Sequence, residues 1–192
     1  MPLPPITQLR VGTRRLIFIA TLLSLFTFIV CYFRAFVFPD VPVLPRGDQL
    51  GFLFRAGRIV AGELPYRDFF EIVPAGIELV YALLIKWFGL YDWIPGLTMA
   101  CLAAIVVMLT TLIAGRFIGG HAVAIPGLLF TGFILPGSFD ATHHWFSTIA
   151  VLGGILVLLE GITLPRIAAA GASAGLLRAS PRVSEPRSSQ IS

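Results

Sequence analysis

Long stretches of this chain carry no charged side chain. A helix rises 1.5 Å per residue, so about 20 apolar residues cross a hydrocarbon core of about 30 Å. In lipid the backbone N–H and C=O groups must be satisfied within the segment, which makes helices the solution for runs of this kind. The first run begins at Leu16, after Arg10, Arg14 and Arg15, and continues to about Val37, with Arg34 near enough to the far end to reach the headgroups. The second extends from Trp93 to Gly115 and is closed by Arg116. A third runs from Ala122 to Phe139, with Pro126 and Pro136 near its ends, and a fourth follows Asp140 and reaches Leu159. The basic start of the first run also fits a signal peptide. However, no A-x-A site follows it, and Val30, before Cys31, is too large for lipoprotein cleavage. The run is read as a retained helix.

Composition agrees. The chain is 57% hydrophobic and 12% charged, against about 25% charged for soluble domains. Its 16 Phe and 3 Trp suit lipid-facing helices with aromatic belts. The net charge of +4 comes from scattered basic residues at the ends of apolar runs, so it is a topology signal and excludes nucleic acid as a partner. Cys31 and Cys101 each sit inside an apolar run and read as small buried residues, not as a disulfide.

Arg10, Arg14 and Arg15 place the N-terminus on the cytoplasmic side. Alternation then puts residues 38–92 outside, Arg116 inside, the Asp140 turn outside and Arg166 inside. The outer loop holds Arg46, Arg55, Arg58, Arg67 and Lys86, but its carboxylates outnumber them, and long loops obey the charge rule poorly. Pro39, Pro42 and Pro45 open this loop. Within it, Gln49 to Ala61 has helical periodicity, with Leu50, Leu53, Phe54, Gly57 and Val60 on one face and Arg55 and Arg58 elsewhere. That pattern predicts an amphipathic helix on the membrane surface, stopped by Gly62 and Pro65. Residues 74–90 are apolar but contain Glu78 and Lys86. A full span would bury Glu78 at a few kcal/mol, so a surface or re-entrant helix is expected there.

From Leu177 the composition turns to Ser, Arg and Pro, which cannot bury enough surface to fold. The expected organisation is a membrane portion over residues 1–176 and a disordered polar tail over 177–192. Residues 167–176 read as the start of a fifth helix that the tail interrupts. The abrupt change reads as a reading-frame accident, with the chain inactive alone.

Candidate chemistry is concentrated at one membrane face. Asp48, Arg55, Arg58, Arg67, Asp68 and Glu71 lie in the first outer loop, and Asp140, His143 and His144 at the second outer turn. Carboxylates, guanidinium groups and imidazoles beside lipid suit transfer of a group held on a lipid phosphate. A carboxylate takes the proton of an acceptor hydroxyl, and cations hold the phosphate leaving group. Plainer readings exist for each. Asp48 fits a helix N-cap. Arg67, Asp68 and Glu71 fit local ion pairs, and Tyr66, Phe69 and Phe70 fit interfacial anchors. His143 and His144 are adjacent and would point about 100° apart on a helix. No C-x-x-C or H-x-x-x-H metal spacing, phosphate-cradling glycine motif or nucleophile elbow occurs.

The block from Asp48 to Gly89 resembles the first outer loop of bacterial family 39-type glycosyltransferases, relatives of protein O-mannosyltransferases and aminoarabinose transferases. The matching elements are Asp48, Gly62, Pro65, Tyr66, Arg67, Asp68, Phe69, Pro74 and Phe88–Gly89, and the turn at His143, His144 and Trp145 also looks like members of that group. The resemblance covers about residues 10 to 176. It implies a GT-C fold, a polyprenyl-phosphate-linked sugar donor, an acceptor outside the membrane, and Asp48 as general base. Arg67, Asp68, Glu71, Asp140, His143 and His144 are the matching candidates for substrate binding. No metal ligand set is assigned, though the chemistry would accommodate a divalent metal. The chain departs from the family in lacking its later helices, and in having Gln49 where an acidic pair would place a second carboxylate.

The fold expected is therefore all-α. It is a polytopic helical protein of the inner membrane with about four transmembrane helices, near 16–37, 93–114, 122–139 and 142–159. One or two interfacial helices lie in the first outer loop, as a truncated GT-C fold. Two other classes fit the composition: a non-catalytic membrane fragment or interaction module, and a small transporter. The last would favour polar groups at the bilayer midplane, whereas the charges here gather at one face.

Overall fold

The structure is a computed structural model. It describes residues 12–36, 42, 48–71, 75–137 and 140–159, with isolated positions at 165, 168, 171 and 172. Arg10, Arg166, the expected fifth helix over 167–176 and the tail over 177–192 fall outside those residues, save the isolated positions. The described residues are helical apart from turns and two isolated bridges, Phe36 with Pro42 and Pro65 with Phe69.

Two helices are long and apolar enough to cross a membrane: α1 (Thr13–Ala35) and α4 (Ile94–Ala114). They form an antiparallel pair. A side chain at Gly115, at the end of α4, would run into Leu16 near the start of α1, and a Cβ at Gly96 would lie 2.9 Å from the Cβ of Ala35. The seam works because α1 turns its small residues inward. Ala20, Thr27, Cys31 and Ala35 are all buried, and Ser24 donates to the carbonyl of Ala104 across the seam at 2.7 Å. Small residues let helix backbones approach closely without a hydrophobic driving force. The opposite face of α1 exposes Phe18, Leu22, Phe26 and Phe33. Cys101 departs from expectation: it lies on the exposed side of α4, because the buried face is taken by Ala100, Leu102 and Ala103.

The third apolar run winds helically without a gap, but its hydrogen-bond pattern is broken into a 3₁₀ turn (Gly120–Ala124), an α turn α5 (Ile125–Leu129), a π turn (Phe130–Ile134) and a second 3₁₀ turn (Leu135–Gly137). Pro126 sits at the start of α5, where its missing N–H is harmless. The broken segment nonetheless runs beside α1. Arg15 Nη2 is 2.7 Å from His121 Nε2 at one end, and Thr27 Oγ1 is 2.8 Å from Thr131 Oγ1 further along. Each of these threonines is also 2.8–2.9 Å from its own helical carbonyl, that of Leu23 or Gly127. Gly127 lets α4 come close; a Cβ there would be 3.1 Å from Thr111 Oγ1. The fourth run forms α6 (His143–Leu159), whose first turn packs Trp145 into the core with Ile94 and Met99 of α4. The 17 residues of α6 and the broken segment are shorter than α1 and α4.

The first loop folds into a helical hairpin over the Ile94 end of this bundle. Its arms are α2 (Asp48–Val60) and α3 (Gly76–Phe88). Gly62 (φ +99°) closes α2, with Gly62 N–H bonded to Ile59 O and Glu63 N–H to Arg58 O, which satisfies two end carbonyls. The apolar face expected for α2 is split. Leu53 is buried with Gln49, Phe52 and Ala56, while Leu50, Phe54 and Val60 point outward. The reason is a partner the wheel did not include: α3 packs along α2, and its residues Ile77, Tyr81, Ala82 and Ile85 meet Phe52, Leu53 and Ala56 in one core. On its other side α3 exposes Leu79, Leu83 and Trp87 at helical spacing.

Candidate functional site

The hairpin carries two separate groups of charge. The outer one is a turn. Asp68 Oδ2 accepts the N–H of Leu64 at 2.8 Å, and Arg67 grips both oxygens of Asp68 through Nε and Nη2 at 2.9 and 2.7 Å. Tyr66 adopts φ +65°, a conformation rare for a side chain of its size, and bonds its N–H to Phe69 O at 3.0 Å. Its hydroxyl accepts the N–H of Ala75, tying the turn to the start of α3. The Arg67 guanidinium and the Leu64 N–H hold Asp68 down to about 2. Arg58 closes the other side: it pairs with Glu63, reaches the Asp68 carbonyl at 3.3 Å and lies 4.6 Å over the Phe69 ring. Phe69 is consequently buried, so of the three expected interfacial aromatics only Tyr66 and Phe70 are exposed.

The inner group lies between α2 and α3. Arg55 of α2 pairs with Glu71, and its Nε donates to Glu78 Oε1 of α3 at 3.3 Å. The guanidinium lies over the Phe52 ring and across the bare face of Gly51. Glu71 therefore does not join Arg67 and Asp68 as a local pair. Its side chain is 6% exposed and that of Glu78 is not exposed at all. The sequence argument against burying Glu78 assumed lipid around it. Here it is buried beneath α2 with a counter-ion, in a helix of 13 residues that is too short to span. Burial, and then the neighbouring Glu71, push Glu78 up to about 7.

The second turn meets this group. Tyr81, wholly buried on α3, directs its hydroxyl at the carbonyl of Ala141, 3.4 Å away. Burial raises its hydroxyl, and the charges of Glu78 and Asp140 raise it further, so both carboxylates act on it. Burial, and then the neighbouring His144, lower His143 at the start of α6, against the smaller opposing charges of Asp48 and Glu71. The Tyr81–Ala141 contact sets the second turn, with Asp140 and His143 beside it in sequence, against the hairpin that carries Asp48 and Glu71. Asp48 is the exposed first residue of α2, with Gln49 buried beside it. His144 is exposed, its ring 4.0 Å from that of His143. Arg67 and Asp68 belong to the outer turn instead. Among the described residues no group of three His, Cys, Asp or Glu side chains could hold a metal ion.

Arg55 was grouped with the charges of the first outer loop but given no role in the site, and Glu78 was not among the candidates. The available signal was Glu78 itself, a carboxylate inside an apolar helical pattern, which requires a partner when buried. Comparison with known proteins found no matching family model, curated protein or solved structure.

Proposed function

We propose that this chain is a multi-pass membrane protein of the glycosyltransferase type. It works with its N-terminus on the cytoplasmic side of the cell membrane, on a polyprenyl-phosphate-linked sugar. The observation that carries the reading is the contact of Tyr81 with Ala141, which sets the second turn, bearing Asp140, His143 and His144, against the hairpin that bears Asp48 and Glu71 at one end of an apolar bundle. A lipid donor presents its phosphate at such a boundary, with its chain along the exposed apolar faces of α1 and α3. Asp48 is the exposed carboxylate of this group and takes the acceptor proton. Arg55 is engaged by Glu71 and Glu78, so the imidazoles of His143 and His144 face the phosphate. Arg67 reaches it only by giving up Asp68. The turn geometry therefore supports a structural role for Arg67.

The test uses the chain in liposomes with a labelled polyprenyl-phosphate hexose or pentose. Expected is saturable donor binding by the wild type and by Asp48→Asn, with transfer by neither, and weakened binding when His143 and His144 are both replaced by alanine. No donor binding by the wild type, or measurable transfer by Asp48→Asn, would overturn the proposal.

A further inference from the structure

The end of the bundle opposite the hairpin holds a polar pair that the sugar-transfer reading does not use. Arg15 Nη2 lies 2.7 Å from His121 Nε2, and both side chains are exposed. Arginine has no acceptor and stays charged, so the guanidinium donates and the imidazole accepts. His121 is then neutral, with its hydrogen on Nδ1. The bond engages one N–H of the guanidinium, whose other N–H groups and the His121 Nδ1–H make up one donor-rich head.

This head is held from below. Leu16, next to Arg15, packs with Val123, two residues past His121, and with Ala114 of α4, in a small core flanked by Ile19 and Leu112. The imidazole bond orients the guanidinium, so its planar fork is preorganised for the oxygens of an anion. Deeper along both elements the surface turns apolar. Phe18 and Leu22 follow Arg15 at about one and two helical turns, Ile125 and Leu128 follow His121 in the same way, and all four are exposed. A cationic head above two apolar rows is the outline of a phospholipid, with phosphate at the guanidinium and acyl chains along the rows. A free phosphate or an acidic peptide would satisfy the head and leave the rows uncovered.

We propose that Arg15 and His121 bind the headgroup phosphate of an anionic phospholipid whose acyl chains lie along Phe18, Leu22, Ile125 and Leu128. The inference rests on the membrane part of the reading above and not on sugar transfer. In that reading this is the cytoplasmic end, and the cytoplasmic leaflet carries the anionic lipids. A headgroup without an amine or choline keeps its net negative charge, which selects it over a zwitterionic lipid at a cationic head.

Native mass spectrometry of the full chain released from mixed phosphatidylglycerol and phosphatidylcholine bilayers tests it. The wild type should retain phosphatidylglycerol in preference to phosphatidylcholine, and excess inorganic phosphate should not displace it. Arg15→Gln should lower that retention about tenfold, as for one lost charge-assisted contact, and His121→Ala should lower it less. Arg14→Gln removes the same charge one position away and should leave retention unchanged. Equal retention of the two lipids by the wild type, displacement by phosphate, or an equal loss in Arg14→Gln would overturn the proposal. A wild type that retains neither lipid would overturn the membrane reading as well. If Arg15→Gln does not fold, a phosphatidylglycerol with a photoreactive acyl chain decides on the wild type: crosslinks within residues 18–22 and 125–128 support the site, and crosslinks confined to other segments overturn it.

Discussion

Replacing Gly96 by alanine puts a methyl group where α1 already stands. The new Cβ would lie 2.9 Å from Ala35 Cβ and 3.9 Å from the Ala35 Cα and carbonyl oxygen. Ordinary carbon contacts begin near 3.5 Å, so the helices must part at this end by about half an ångström or more. No flexible side-chain end is there to swing away, because the obstacle is a Cβ fixed to backbone. Overpacking of this kind costs about 1–3 kcal/mol. The intrinsic preference for Ala over Gly returns at most about 1 kcal/mol. A net loss of about 1–2 kcal/mol is expected, read as unfolding in mixed micelles with denaturant. Two comparisons isolate the cause. Gly153→Ala, whose Cβ would meet nothing within 4 Å, should be neutral or stabilising. The exchange Ala35→Gly with Gly96→Ala should recover most of the loss, since it moves the methyl group across the seam. Gly96→Ala at or above wild-type stability, or an exchange variant no better than the single one, would refute the close antiparallel contact.

In a chain with Cys31 and Cys101 replaced, a cysteine at Glu63 should react with an impermeant reagent from the outside only; cytoplasmic labelling would invert the topology. Asp68→Ala should open the turn between Gly62 and Phe70 to trypsin at Arg67, whereas Arg67→Lys should keep it closed, because Asp68 also holds the Leu64 N–H. The folded-state value of Asp68 is depressed from 3.8 to about 2, so its contribution should be present above about 4 and lost as pH falls through about 2, monitored by the same cleavage. Arg55→Met removes the cation that two buried carboxylates share and should destabilise the chain by up to about 3–5 kcal/mol, less the part that water recovers at the quarter-exposed arginine. That deficit should shrink on acidification as Glu78, already raised by burial, takes up its proton, and a pH-independent deficit would count against the pairing.

The long elements were legible because their signal is one-dimensional. Nothing charged occurs between Trp93 and Gly115, and α4 fills that interval. The third run passed the same composition test and is helical, yet its winding changes from 3₁₀ to α to π along Gly120–Ile134, which a count of apolar residues does not register. For α2 the periodicity was right and the face was partly wrong. Leu50 and Phe54 look equivalent to Leu53 on a wheel, and only the position of α3 separates them. The candidate site was readable as two groups of polar residues assigned to one face. Its inner pairing was not, because Arg55 and Glu78 lie 23 positions apart and meet only when the hairpin closes.

The two buried threonines that join α1 to the broken segment have a property that follows from counting hydrogens. Thr27 Oγ1 lies within bonding distance of the Leu23 carbonyl, Thr131 Oγ1 of the Gly127 carbonyl, and the two hydroxyls of each other. Two hydroxyl hydrogens cannot fill three such links. At any instant one link is vacant: both hydroxyls serve their own carbonyls, or one turns across the gap and leaves its carbonyl unserved. The arrangements interconvert by rotating a single O–H, with no heavy atom displaced. The joint between α1 and the π turn is thus a degenerate latch, whose residual entropy a Thr27→Val exchange of similar shape would remove.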